Sequence, residues 1–177
     1  LILGSEIGST AVALLKNKTL PAGALMLELV FVAESASHPQ LYRFLPPTPI
    51  RLLLDKNGNN LGDKVAFHAF DRQLSPVNRH LGSKLVSASQ GVIHGLIAQA
   101  EAVAAPRLEQ IVVEARATME QTLGNELARL SALKAVNPSV RDSELQHLQE
   151  LRQELSHLLD QTKLKLDALR FIVVAHG

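Results

Sequence analysis

Apolar and polar residues alternate along the first half of the chain and recur every three or four positions along the second. The stretch from Leu25 to Ala33 (LMLELVFVA) sets Leu25, Leu27, Leu29 and Phe31 on one side and Met26, Glu28, Val30 and Val32 on the other. A period of two with β-branched and aromatic residues predicts a strand buried on one face and partly covered on the second. Ala11 to Leu15 reads as a shorter apolar strand, and Pro21 and Gly23 punctuate the connection between the two. In RFLPPTPIRLLLD, Pro46, Pro47 and Pro49 cannot donate ladder hydrogen bonds, so this piece is an edge, a bulge or an extended linker. Ile50, Leu52 and Leu54 resume a strand, and Val65, Phe67 and Ala69 are expected to begin another.

Beyond Ser89 the period changes to that of a helix. Leu108, Val112, Ala115, Met119, Leu123, Leu127 and Leu130 fall three or four residues apart in a run that extends to Val136. Pro106 lies inside it and predicts a kink or a short break, because it removes one hydrogen bond and clashes with the preceding turn. Asn137-Pro138 ends the helix. Leu145, Leu148, Leu151, Leu155 and Leu158 stripe a second helix, with Asp142 or Ser143 as N-cap and a Ser143-x-x-Gln146 capping box. Two striped helices joined by a short turn are expected to pack antiparallel. Leu169 to Ala175 (LRFIVVA) reads as a strand that returns to the sheet.

These elements predict an α+β fold: an antiparallel β-sheet, a long antiparallel helical hairpin and a C-terminal strand closing the sheet. The expected organisation is a β-rich part over 1–85, a helical part over 86–165 with its turn near 137–142, and the closing strand over 166–177.

Composition adds limits. The chain has 177 residues, 46% of them hydrophobic, with a net charge of +1, which suits an ordinary folded protein. The absence of cysteine excludes disulfides and thiolate metal sites and fits a reducing compartment. No stretch approaches the ~20 apolar residues a membrane-spanning helix needs. The opening LILGSEIGST, with no initiator Met and no charged first region, reads as the end of an element belonging to a longer protein.

Charge is uneven along the chain: Arg43 to Lys84 carries a net +4 and Glu101 to Asp160 a net −4. The basic segment offers Arg43, Arg51, Lys56, Arg72, Arg79 and Lys84 as candidate contacts to a nucleic acid or another partner. Plain solvation is the simpler account of isolated cations on a sheet.

Catalytic and metal motifs fail on spacing. DKNGNN places Asp55, Asn57 and Asn59 at the first, third and fifth positions of a calcium loop. Its sixth position is Asn60 instead of Gly, and its twelfth is Ala66 instead of a bidentate Glu. The competing reading is a hairpin: Asn57-Gly58 suits a type I′ turn that sets Leu54 opposite Leu61. Continuing that register would put Asp63 on the apolar face, which points to a bulge or a longer loop. The seven histidines (His38, His68, His80, His94, His147, His157 and His176) show no ligand-type pairing. Gly82-Ser83-Lys84 lacks the earlier glycine of a phosphate-binding loop, since position 77 is Val, and reads as a helix-entry loop. The helical hairpin could serve a partner through its outer face or its tip, Ala135 to Asp142, while its leucines pack the two helices together.

Longer stretches carry more identity: ALLKNKTLPAG (13–23), RFLPPTPIRLLLDKNGNN (43–60), NRHLGSKLV (78–86), LSALKAVNPSVRDSEL (130–145) and LDALRFIVVAHG (166–177). In these the chain resembles the C-terminal portion of the RapA family, bacterial RNA polymerase-associated ATPases of the Swi/Snf helicase-like superfamily. The resemblance implies a parent protein that hydrolyses ATP with Mg, translocates on double-stranded DNA and reactivates or recycles stalled polymerase in the bacterial cytoplasm. It also implies that the ATP-binding motifs lie in other domains. No catalytic, cofactor or metal residue is therefore expected in this chain. Its partners would be the remaining domains of the parent, the polymerase core and, through the parent, DNA. Three roles follow as expectations: a non-catalytic accessory module, a nucleic-acid contact surface built from the basic segment, or an independent enzyme, for which the sequence offers no converging polar groups.

Overall fold

The computed structural model describes residues 9–65 and 67–176. Five strands form one sheet in the order β3-β2-β5-β1-β4. They are β1 (Ser9–Lys16), β2 (Leu25–Glu34), β3 (Thr48–Asp55), β4 (Leu74–Pro76) and β5 (Lys163–Ala175). Four α-helices accompany them: α1 (Phe67–Gln73), α2 (Arg79–Ala88), α3 (Gln90–Val136) and α4 (Asp142–Asp160). The sheet is mostly antiparallel, but β1 and β5 run parallel, in register from Ser9 opposite Ala168 to Lys16 opposite Ala175.

The chain divides into two compact units. The first holds residues 1–32, 49–106 and 164–177, and the second 33–48 and 107–163. In the first unit the strand period sorts side chains onto two faces. Leu15, Met26, Leu53, Ile172 and Val174 share one face and pack around Phe70 of α1. Leu27, Leu29, Leu52, Leu54, Leu169 and Phe171 are buried on the other. Helix α2 packs on that second face. Gly82 of α2 lies over Val12 of β1, where an added Cβ would stand at an ordinary contact distance of 3.4 Å. Pro49 is accommodated because β3 is an edge strand with one ladder to satisfy.

The expected strand at Val65, Phe67 and Ala69 is instead a 3₁₀ turn (Gly62–Lys64) followed by α1. Phe67 and Phe70 fall three residues apart, at helical spacing, and both pack against the first face of the sheet. Burying two aromatics three residues apart favours helix over the alternation that Val65, Phe67 and Ala69 display. Position 66 lies outside the described residues. Gly82-Ser83-Lys84 sits within α2, not in an entry loop, and the helix is capped earlier, by Asn78 accepting from the His80 N–H at 2.8 Å.

The turn at Asn57-Gly58 is one residue longer than a type I′ hairpin. Gly58 has φ +83°, and no described non-glycine residue has positive φ, so the two positive angles that type I′ demands are absent. The Asp55 carbonyl accepts from the Gly58 N–H at 3.0 Å, and the Asp55 N–H donates to the Asn59 carbonyl at 3.0 Å. Leu54 therefore pairs with Asn60, not Leu61. Of the bulge or longer loop that the register of Asp63 points to, the structure has the longer loop. Gly58→Ala is expected to cost about 1–2 kcal/mol through the left-handed backbone angle alone, read as a lowered urea midpoint; an unchanged midpoint would show that the turn relaxes freely.

Asp55 also explains why this turn resembles a calcium loop. Its Oδ1 accepts from the N–H groups of Asn57 and Asn59, both at 2.9 Å, and its Oδ2 from the Asn59 amide at 2.9 Å. The carboxylate acts as internal glue for the turn. Partial desolvation pushes its pKa up, but these bonds and the Gly58 backbone outweigh that and hold it below the ordinary aspartate value. A group depressed on folding stabilises the fold above its unfolded pKa, and that contribution is lost as pH falls through the lower folded value. Carboxyl-detected NMR should place the Asp55 midpoint below that of a free aspartate, and Asp55→Asn should flatten the acid limb of the stability profile. A midpoint at the free value would contradict this.

In the second unit, α4 lies antiparallel to the C-terminal half of α3. Ion pairs Arg116–Asp160, Glu120–Arg152 and Lys134–Asp142 step in opposite directions along the two helices. Ala115, Met119 and Leu123 of α3 meet Leu155 and Leu159 of α4, and Leu41 and Leu45 from the preceding segment complete this core. Leu159 was absent from the predicted stripe. Helix α3 continues unbroken through Pro106, so of the expected kink or short break the break is absent. The boundary between the two units nevertheless falls at that proline.

The N-terminus of α4 also differs from expectation. Its N-cap is Arg141, one or two residues earlier than predicted, and Glu144 replaces Gln146 as the side chain reaching back, accepting from the Arg141 N–H at 3.4 Å. Arginine has no acceptor with which to complete a reciprocal box. Acidic Asp142 and Glu144 in the first turn suit the positive end of the helix dipole. The closing strand begins at Lys163, six residues before the alternation that announced it.

Candidate functional site

Three strands each carry one charged residue within an apolar run: Glu28 in β2, Arg51 in β3 and Arg170 in β5. Because β2 lies between β3 and β5, the three sit side by side on the face that α1 covers. Glu28 is the only buried charged residue among those described, its side chain 5% exposed. A buried carboxylate without partners would cost several kcal/mol, and here it has two. Glu28 Oε2 accepts from Arg51 Nη2 at 2.6 Å, and Oε1 accepts from Arg170 Nη2 at 2.9 Å.

Asp71 of α1 closes the cluster from above. Its Oδ1 accepts from Arg51 Nη2 at 2.7 Å and lies 3.5 Å from Arg170 Nη2. Phe67, one turn earlier, lays its ring 3.9 Å from the Arg51 guanidinium carbon, a cation–π contact. Desolvation works against the charge of Arg51, but Asp71 and Glu28 outweigh it and raise its pKa, so Arg51 stays charged. Arg51 Nε is buried with no acceptor. The cluster is formally neutral, and it ties a seven-residue helix to the sheet by two ionic contacts and one ring. Beneath the same helix lies a cleft of about 330 Å³, lined by Leu15, Met26, Leu53, Lys64 and Phe70 among others.

The six candidate cations separate into different environments. Arg51 is a member of this cluster and is not a free surface charge, because Glu28 requires it. Arg43 belongs to the second unit, where it pairs with Glu126 at 2.9 Å and stacks at 5.2 Å on Phe44. Lys56 in the turn, Arg72 on α1, and Arg79 and Lys84 on α2 are exposed. Arg170 is not among the six candidates, because LRFIVVA reads as a strand and lies outside the basic segment. The signal is in the sequence: Glu28, Arg51 and Arg170 each interrupt an apolar run, and charges so placed must find one another or remain unpaired in a low dielectric.

The hairpin presents a different surface. Along α3, Met119 and Leu123 are buried, whereas Leu133 and Val136 near the tip are exposed, Val136 at 80%. Asn137 organises the tip by accepting from the Ser139 N–H and hydroxyl at 3.0 and 2.6 Å. An open groove of about 510 Å³ between the two helices is lined by Glu120, Leu127, Gln149, Arg152, Gln153 and Ser156. Among the described residues no three His, Asp or Glu side chains gather as metal ligands, and no helix is long and apolar enough to cross a membrane.

An ionically tied sheet unit and an antiparallel helical hairpin make this an α+β module. Residues 1–174 match the family described as RNA polymerase recycling family C-terminal, RapA_C. The chain belongs to that family, and is thus related to the C-terminal portion of RapA, a protein of RNA polymerase recycling.

Proposed function

We propose that this chain is the non-catalytic C-terminal accessory module of an RNA polymerase-associated, ATP-dependent DNA translocase, and that it braces the motor or touches polymerase while stalled enzyme is reactivated. The observation that supports it is the family match along residues 1–174. ATP, Mg and double-stranded DNA would be handled by other domains of the parent protein. The hairpin tip is the favoured contact, because Val136, at 80%, is the most exposed of the large hydrophobic residues described and Leu133 stands exposed one turn before it. Deleting 119–159 with a short linker in the intact ATPase should weaken polymerase binding or ATP turnover. If both stay unchanged, the hairpin is dispensable and the reading fails.

A second reading rests on exposed Lys56, Arg72, Arg79 and Lys84 as a nucleic-acid contact. It requires steeply salt-dependent DNA binding by the chain. Arg72→Glu with Lys84→Glu is the appropriate reversal, since it leaves the Glu28 cluster intact. DNA-stimulated ATPase unchanged by that pair in the intact protein would exclude this reading.

A further inference from the structure

The Glu28 cluster is balanced only while Asp71 is in place. Arg51, Arg170 and Glu28 together carry one net positive charge, and Asp71 cancels it. Asp71 is the replaceable member. Its side chain is 41% exposed, against 27% for Arg51 and 29% for Arg170. It serves both arginines with one oxygen, at 2.7 and 3.5 Å, so the second contact is long for a hydrogen bond. It stands on a helix of seven residues. Arg51 Nε, next to the occupied Nη2, has no acceptor at all. Two guanidinium groups thus face an acceptor that satisfies them incompletely.

We propose that Arg51 and Arg170 form a phosphate-binding site that Asp71 occupies as an internal stand-in, and that a phosphate group competes with Asp71 for it. A phosphate brings about −1.5 to −2 charge and three acceptor oxygens, where Asp71 offers one shared oxygen. It can engage Nη2 of both arginines and the unserved Nε in the forked geometry that guanidinium favours. Glu28 remains beneath, holding the two arginines side by side, and exposed Arg72 adds positive charge beside Asp71. When phosphate enters, α1 loses its ionic tie to the sheet and keeps only its apolar anchors, Phe67 and Phe70. Binding at this site therefore loosens the helix that covers the apolar cleft. The site stands on the cluster geometry alone and is independent of the polymerase-module reading.

The test titrates the 177-residue chain and its Asp71→Asn variant with inorganic phosphate, and separately with a duplex DNA oligonucleotide. Ionic strength is held constant with chloride, and the ¹⁵N–¹H signals of Arg51 and Arg170 Nε are followed. Removing the internal competitor should lower the phosphate midpoint at least tenfold, and adding Arg170→Ala should abolish saturation. Saturation by phosphate assigns a phosphomonoester or free phosphate as the ligand; saturation by DNA alone assigns the polynucleotide backbone. Equal midpoints in both proteins, or shifts that chloride reproduces, would overturn the proposal. Should Asp71→Asn fail to fold, amide exchange in the unsubstituted chain decides: phosphate must speed exchange across 67–73 relative to chloride, and no difference would also overturn it.

Discussion

Glu28→Gln should lower the stability of the sheet unit by about 3 kcal/mol, the largest single effect expected from a polar side chain in this protein. The substitution keeps the shape and one acceptor but removes the charge that Arg51 and Arg170 share. Both guanidinium groups then face each other across β2 with only Asp71 to offset them. Their partial exposure, 27% and 29%, lets water relieve part of the repulsion, which sets the expected cost at the low end for a broken buried pair. Asp71→Asn is expected to cost under ~1 kcal/mol, because its charge is screened at the surface. Urea denaturation followed by exchange of β2 and β5 amides separates the two. If Glu28→Gln costs no more than Asp71→Asn, the cluster is not organised around Glu28.

Leu155→Ala should destabilise the hairpin unit by about 2–5 kcal/mol through lost apolar burial and the cavity left behind. Leu155 is fully buried among Met119, Leu123 and Leu41, so truncation empties space that helices α3 and α4 share. Val136→Ser, on the same unit, is expected to change stability by less than ~0.5 kcal/mol, since nothing is uncovered by removing an exposed valine. The pair makes the assignment of core and surface along the hairpin testable by hydrogen exchange of α4 amides. A larger loss for Val136→Ser than for Leu155→Ala would mean the tip is covered and the stripe is not.

Much of this fold was legible from patterning. The helical period from Ser89 to Val136 matches α3 to within one residue at each end, because 47 residues of helix carry many repeats of that period. Leu25 to Ala33 was equally plain, as ten residues of strand carry several repeats of the alternation. Short segments were less secure. Phe67–Gln73 offers two turns at most, and Val65, Phe67 and Ala69 fit a strand as well as Phe67 and Phe70 fit a helix. Only the burial of Phe70 against Leu15, Met26 and Leu53 separates them. The early start of β5 was hidden because Lys163, Lys165 and Asp167 alternate with half-buried residues, which resembles a solvated helix end as much as a strand.

The candidate site shows the same division. The basic segment was visible as a tally of charge, but a tally does not say which cations are already spoken for. Arg51 and Arg72 are both arginines of one basic run; one is held by Glu28 and Asp71, and the other is exposed.

By itself the sequence determined the α+β class, the antiparallel hairpin, the turn at Gly58 and the family, because each depends on short-range periodicity, backbone preference or contiguous residues. Only the tertiary structure decided that β1 and β5 run parallel and that Glu28, Arg51 and Arg170 meet, with Asp71 above them. Those facts depend on which strands become neighbours. Glu28 and Arg170 are 142 residues apart in the chain, and strand order, which no local pattern encodes, is what brings them to 2.9 Å.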